Sequence, residues 1–427
     1  MSYQVKSVNI GNGIRYSSVT DKKFKHNRIS VCMVMPLERE SVTVNALVPY
    51  VLKQGTKNCP SFVELNKKLA ELYGASLDAA VDKYGKYQLL SLAITSIDDR
   101  YALNGEKLIE ECAKLLCEAV LEPNISDGEF KGDVVELEKQ FLIDTIRAEI
   151  NDKRVYAAGR CRSIMCEGEP TAIKKYGYEE DAKAITNKTA AQAYENIINN
   201  SKIEFMFVGS GDPTSGEKVV REMFSGLNRT NVTEIEPIEY KPNVEKAKTV
   251  TETMNIAQAK LVMGMRVGVP ENDREMAALR LMSSLYGGTP VSLLFKNVRE
   301  KLSLCYYCAA RFNRTTGILT VESGIEDANK DKAITEILAQ LQAVKEGKFT
   351  QEELDHCKMI LSTASKAATD SLSALENWYL TQLMRGTNIS PDEDFALLSS
   401  ITAEEITKMA NTVQLDTTYL LTGAAQA

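Results

Sequence analysis

Hydrolysis at a protein-bound zinc needs imidazole, thiolate or carboxylate donors gathered at one point, and this 427-residue chain holds two histidines and nine cysteines. The histidines, His26 and His356, stand 356 − 26 = 330 positions apart. A His-x-x-Glu-His arrangement, which puts two ligands on one helical face and a carboxylate beside them as base, therefore occurs nowhere in the chain. His26 lies in the polar stretch KFKHNR and His356 in a helical stretch beside Asp355, so both read as surface or semi-buried side chains. Cys305 and Cys308 form a Cys-x-x-Cys in LCYYCAARF, which reads as a strand. Residues three apart on a regular strand face opposite sides, so this pair is expected to point apart. Cys112 and Cys117 are separated by roughly 500° around a helix axis and share no line on it. All nine cysteines are expected to be reduced thiols of the core or surface. The chain shows no P-loop, no Gly-x-Gly-x-x-Gly after a strand and no nucleophile elbow.

The composition bounds the rest. The length exceeds the ~250–300 residues at which a single hydrophobic core stops growing, so at least two domains are expected. With 44% hydrophobic residues, 26% charged residues and a net charge of −7, the chain has the balance of a globular protein. An acidic balance of this kind argues against nucleic acid or an anionic membrane as partner. The leading residues, MSYQVKSVNIGNGIRYSS, contain no apolar run after a basic start, and no apolar run approaches the ~18 residues of a membrane span. An odd number of cysteines without such a signal points to the cytoplasm.

The elements that would position any site occur twice. RISVCMVMPLERE (28–40) leads into a helical stretch ending at Gly55-Thr56, then an amphipathic helix and the hairpin ELYGASLDAAVDKYGKYQLLSLAI. Downstream, AKLVMGMRVGVPEND leads into REMAALRLMSSLYGG, ending at Gly288-Thr289, then another amphipathic helix and the hairpin CYYCAARFNRTTGILTVESGI. The two Gly-Thr pairs lie 288 − 55 = 233 residues apart. Phe62, Leu65, Leu69, Leu72 and Tyr73 recur at helical spacing, as do Val291, Leu294, Phe295, Val298 and Leu302. Polar start signals, ISDGEF at 125 and FTQEEL at 349, precede a long helix in each half. Each half then ends in a helix and a strand closing on glycine. The pattern predicts an α+β protein of two homologous halves, each a twisted, mainly antiparallel sheet with helices packed on one face. The stretch EIEPIEYKPNVEKAKTVTE (234–252), with Pro237 and Pro242, reads as an extended linker, which gives halves of 1–236 and 240–427.

This order of elements resembles the M16 or pitrilysin peptidases, which include the mitochondrial processing peptidase subunits and the core subunits of the respiratory bc1 complex. The likeness spans almost the whole chain. Its most specific stretch is SLLFKNVREKLSLCY (292–306), similar to the second-half signature S-x-L-F-x-x-V-R-E-K-x-x-L-x-Y. The resemblance implies the LuxS/MPP-like metallohydrolase fold. It further implies that the zinc motif would fall at 46–50, where Ala46 and Tyr50 replace the histidines and Pro49 replaces the general base. In the stretch VVELEKQFLIDTIRAEI, Thr145 stands where the third ligand, a glutamate, would be, with Asp144 and Glu149 nearby. The chain is thus similar to the inactive M16 proteins of Gram-positive bacteria, encoded beside an active-looking homologue, and no cofactor is expected.

What the resemblance retains is Arg299 and Tyr306. Matching residues in active members contact substrate near the scissile bond, where a hydroxyl or guanidinium can stabilise an oxyanion. Otherwise Arg299 is an ion-pairing helix residue and Tyr306 an ordinary strand residue. The implied function is that of a partner subunit. It would pair with a zinc-bearing M16 homologue as a heterodimer, or associate with itself, and supply a chamber wall for peptide or unfolded polypeptide together with Arg299 and Tyr306 in trans. The alternatives are a structural scaffold and a solitary peptide-binding protein.

Overall fold

The computed structural model describes residues 3–423. Two sheets organise the chain. The first runs in the order β1 (Lys6–Gly11), β2 (Ile14–Thr20), β8 (Lys202–Gly209), β3 (His26–Pro36), β5 (Tyr87–Ile97), β4 (Ser76–Tyr84). The second runs β11 (Cys305–Asn313), β12 (Ile318–Ile325), β10 (Ala259–Arg266), β13 (Gln414–Gly423), β9 (Lys248–Met254). Read from the hairpin inward, β4-β5-β3-β8-β2 and β11-β12-β10-β13-β9 are the same order. Each sheet has one parallel pair, β2 with β8 and β9 with β13, and is otherwise antiparallel. The expected α+β repeat is therefore present strand for strand, with β1 as an addition to the first sheet.

The helices of the first half are α1 (Val42–Leu52), α2 (Phe62–Glu71), α3 (Leu108–Leu121), α4 (Val134–Ala148), α5 (Lys153–Met165), α6 (Glu179–Lys183), α7 (Asn187–Asn200) and α8 (Pro213–Phe224). Those of the second are α9 (Asp273–Ser283), α10 (Lys330–Lys345), α11 (Gln351–Ala367), α12 (Leu372–Met384), α13 (Pro391–Ser400) and α14 (Ala403–Ala410). Local sequence accounts for several starts. Ser61 and Glu64 form a reciprocal capping box on α2, and Thr402 and Glu405 do the same on α14. The ISDGEF stretch corrects an expectation, since it is no helix start. Ile125–Ser126 (β6) and Glu129–Phe130 (β7) pair across Asp127-Gly128, both at positive φ, and α4 begins only at Val134.

The compact units are not contiguous in sequence. One comprises residues 1–147, 173–237 and 368–390; the other comprises 148–172, 238–367 and 391–427. Each half of the chain thus lends a helix to the other half's unit. In the first unit α12 places Leu375 and Tyr379 against Val19, Met206 and Val208 of β2 and β8. In the second, α5 places Ala157 and Cys161 against Val262, Tyr419 and Leu421 of β10 and β13. The remaining helices of each unit cover the opposite sheet face, so helices lie on both faces and not on one. The reason is written in the central strands. β3 and β8 are buried almost continuously, which requires apolar cover on both sides.

The stretch at 234–252 is also shorter as a linker than expected. From Lys248 it is β9, paired in parallel with β13. The two amphipathic helices bury less of their stripes than their spacing suggests, since Phe62 is 51% and Leu302 44% exposed.

Candidate functional site

The positions matching the zinc motif lie on α1. Ala46 and Pro49 are buried in the first core, and Tyr50 is half-buried at its edge. Pro49 sits inside the helix and contributes no N–H to Asn45, yet the helix continues to Leu52. The Tyr50 ring packs on Phe141 of α4 with centroids 6.1 Å apart. Burial, followed by the neighbouring Tyr176, pushes its phenol well above its ordinary range. In the turn that follows α1, Gln54 donates to Glu138 of α4, whose carboxyl is raised by burial against that lowering bond.

Thr145, one turn beyond Phe141 on α4, donates its hydroxyl to the Phe141 carbonyl at 2.9 Å. Asp144 accepts from Gln140 on the exposed side of α4 at 3.0 Å. Glu149 belongs to the other compact unit, near Gly159 of α5. Phe141, one turn before Thr145, is the α4 residue whose ring packs on Tyr50. A zinc ion does not fit this set. Ala46 and Pro49 offer no donor atom, the Tyr50 phenol is held neutral, and an aromatic pair occupies the space between the helices. Among the described residues, no group of three or more His, Cys, Asp and Glu is placed to hold a metal ion. His26 and His356 are exposed, the first on β3 and the second on α11.

Arg299 and Tyr306 are brought together in the second unit. The helix carrying Arg299, Leu294–Lys301, is wound as a π-helix, a form enriched at functional sites. It ends where Leu302 N–H bonds Asn297 carbonyl at 3.1 Å and Leu304 N–H bonds Val298 carbonyl at 3.1 Å. That closure puts Ser303 in the left-handed region at φ 50°, and the chain then enters β11. Arg299 and Tyr306 line one open groove of about 430 Å³ with Glu300, Ser303, Cys305 and Glu326. The guanidinium lies 4.6 Å from the Phe295 ring centroid and 3.5 Å from the Glu300 carboxylate. Tyr306 is 62% exposed, so its ring is outside the sheet–helix core.

One neighbour of this pair departs from the expected strand alternation. β11 carries a bulge between Cys305 and Tyr307, and Cys305 and Cys308 consequently both pack on the second core, contrary to the alternation expected of a regular strand. Cys305 lines the groove, and its thiol is pulled down to about 7. The neighbouring Cys308 thiol is the main cause, burial opposes it, and Ser323 and the Arg299 charge add to the lowering.

Comparison with known proteins agrees with this geometry. Residues 184–361 match the family profile described as Peptidase M16 inactive domain. Over its full length the chain is 32% identical to the probable inactive metalloprotease YmfF of Bacillus subtilis, also over that protein's full length. The crystal structure of a conserved protein from Enterococcus faecalis superposes with a TM-score of 0.91 at 26% identity, covering 99% of this chain and 100% of that one. A peptidase M16 inactive domain from Pseudomonas fluorescens has the same fold, with a TM-score of 0.80 at 17% identity and 99% of each chain covered. With the repeated sheet, the S-x-L-F-x-x-V-R-E-K signature and a full-length relative of this identity, the chain belongs to the M16 peptidase family as a member that lacks the zinc-binding residues.

Proposed function

We propose that this protein is the zinc-free subunit of a heteromeric peptidase of the cytoplasm. It pairs with an M16 homologue that carries zinc, completes a chamber that receives peptide or unfolded polypeptide, and presents Arg299 and Tyr306 to the substrate in trans. The observation that carries this reading is a contrast between the two halves. The position of the zinc motif is filled by Ala46, Pro49 and the Tyr50–Phe141 pair, whereas Arg299 and Tyr306 remain outside the core on an open groove. A pure scaffold has no use for an exposed tyrosine hydroxyl and a guanidinium on one open groove. A peptidase subunit does, because such donors stabilise developing negative charge on a scissile carbonyl oxygen.

The test is reconstitution. The purified chain and its zinc-bearing homologue are each assayed alone on a mixed-sequence quenched-fluorescence peptide library, then together, with size-exclusion chromatography alongside. The expected result is a complex of one chain of each kind, with hydrolysis far above the sum of the separate activities and abolished by a zinc chelator. Two chains that elute separately, or a homologue equally active without this protein, would overturn the proposal and favour a structural or solitary peptide-binding role.

A further inference from the structure

The bulge in β11 sets up chemistry that the peptidase reading does not use. Cys305 stands opposite Ile325 and Tyr307 opposite Gly324, so β11 advances two residues while β12 advances one. Tyr306 is the extra residue. One inserted residue reverses the strand's alternation, and positions 305 and 308, which would otherwise face apart, come to share a face. Both side chains pack on the second core, on the strand edge paired with β12, where Ser323 is the cross-strand partner of Cys308. The pair is asymmetric in access. Cys308 is 4% exposed, whereas Cys305 is half-buried and lines the groove beside Arg299.

We propose that Cys305 and Cys308 are a redox-active dithiol, which a low-molecular-weight disulfide entering by the groove converts to an intramolecular disulfide across the Tyr306 bulge. The electrons balance in two exchanges. The Cys305 thiolate attacks one sulfur of the small disulfide, forming a protein–small-molecule bond and expelling the first thiolate, which takes up a proton. Cys308 then passes its proton to water, attacks Cys305 Sγ and expels the second small thiol. The protein dithiol is oxidised by two electrons and one small disulfide is reduced to two thiols. The roles follow from the surroundings. The neighbouring Cys308 thiol and the Arg299 charge favour the Cys305 thiolate, while Cys308, beside Cys305 and buried, is held well above the ordinary thiol range. Closing the bond would pin the bulge that turns Tyr306 outward, so the oxidation state of this pair bears on the groove itself.

Oxidised glutathione is the probe, applied to the folded full-length protein at pH 7, followed by denaturation, alkylation of the remaining thiols and peptide mass mapping. The wild-type peptide spanning 302–311 should lose both alkyl labels and carry no glutathione. Cys308→Ser should instead accumulate a glutathione adduct on Cys305, and Cys305→Ser should form neither disulfide nor adduct on that peptide in the same time. Near pH 7 a thiol of pKa about 7 is about half ionised against about 3% for an ordinary one. Its lower intrinsic nucleophilicity returns most of that, leaving about a threefold rate advantage over an ordinary exposed thiol. Cys59, half-buried with its thiol raised chiefly by burial, is the internal comparator and should react more slowly still. If 305 and 308 keep both labels after Cys59 has reacted, or if the wild-type protein stops at a stable glutathione adduct, the proposal is wrong. Both readings come from the unmutated chain, so neither depends on how the variants fold.

Discussion

Arg266 on β10 is the residue whose loss should do most to free the exchanged helix α5. Its side chain is 6% exposed. Nε donates to Asp416 Oδ2 at 2.9 Å, the terminal nitrogens donate to Glu169 at 2.7 and 3.3 Å, and one also donates to the Met165 carbonyl at the end of α5, at 3.0 Å. Asp416 and Glu169 are themselves largely buried by this arrangement. Arg266→Met keeps the length of the apolar stem and removes every one of these donors, leaving two carboxylates facing each other without a cation. Breaking a buried pair in this way costs about 3–5 kcal/mol, because the surviving charges stay desolvated. At about 1.4 kcal/mol per tenfold, amides of α5 should exchange roughly 10²- to 10⁴-fold faster by native-state hydrogen exchange, while those of the first sheet change little. Replacing the acids as well, with Asp416→Asn and Glu169→Gln, should recover much of the loss, since it is the orphaned charges that cost most. Unchanged α5 exchange, or a triple variant as labile as the single one, would refute the reasoning.

Two further outcomes concern the degenerate zinc position. Pro49→Ala should stabilise the first unit by about 1–2 kcal/mol, a proline inside a helix costing ~3 kcal/mol and lost apolar contacts of the buried ring returning part of it; urea unfolding measures this. Glu138 has its folded pKa raised by burial, so the folded state binds the extra proton and stability should fall as pH rises from about 4.3, the unfolded value, through the raised folded value. Glu138→Gln should flatten that slope and raise stability at pH 7, as thermal unfolding between pH 4 and pH 8 would reveal.

The repeat was legible because its anchors are short-range. Helical spacing, polar turns and Gly-Thr endings need no tertiary knowledge, and they carried through to one strand order used twice. The exchange of α5 and α12 was not. KRVYAAGRCRSIM carries only a narrow stripe, Ala157, Cys161 and Met165, between many charges, and only the near-continuous apolar runs of β3 and β8 hinted that a second layer must cover those sheets. β9 was hidden for a related reason, since KTVTETM is polar enough to pass for linker. At the site, the missing zinc ligands could be read by counting histidines. That Cys305 and Cys308 share a face could not, because a single bulged residue breaks the period on which any strand argument rests. Nor could the packing of Phe141 of α4 on Tyr50 of α1, a contact between residues far apart in the chain.

Tyr306→Phe decides between a working subunit and a scaffold, since it removes one hydroxyl and keeps the ring. Because Tyr306 is 62% exposed, the variant should fold and assemble with the zinc-bearing homologue as the wild type does. Steady-state hydrolysis of the best library peptide by the assembled complex is the measurement. Loss of a single donor to developing oxyanion charge should lower kcat by about 100- to 1,000-fold with KM little changed. A normally assembled complex with wild-type kcat would contradict the role given to Tyr306 and leave this protein a structural partner.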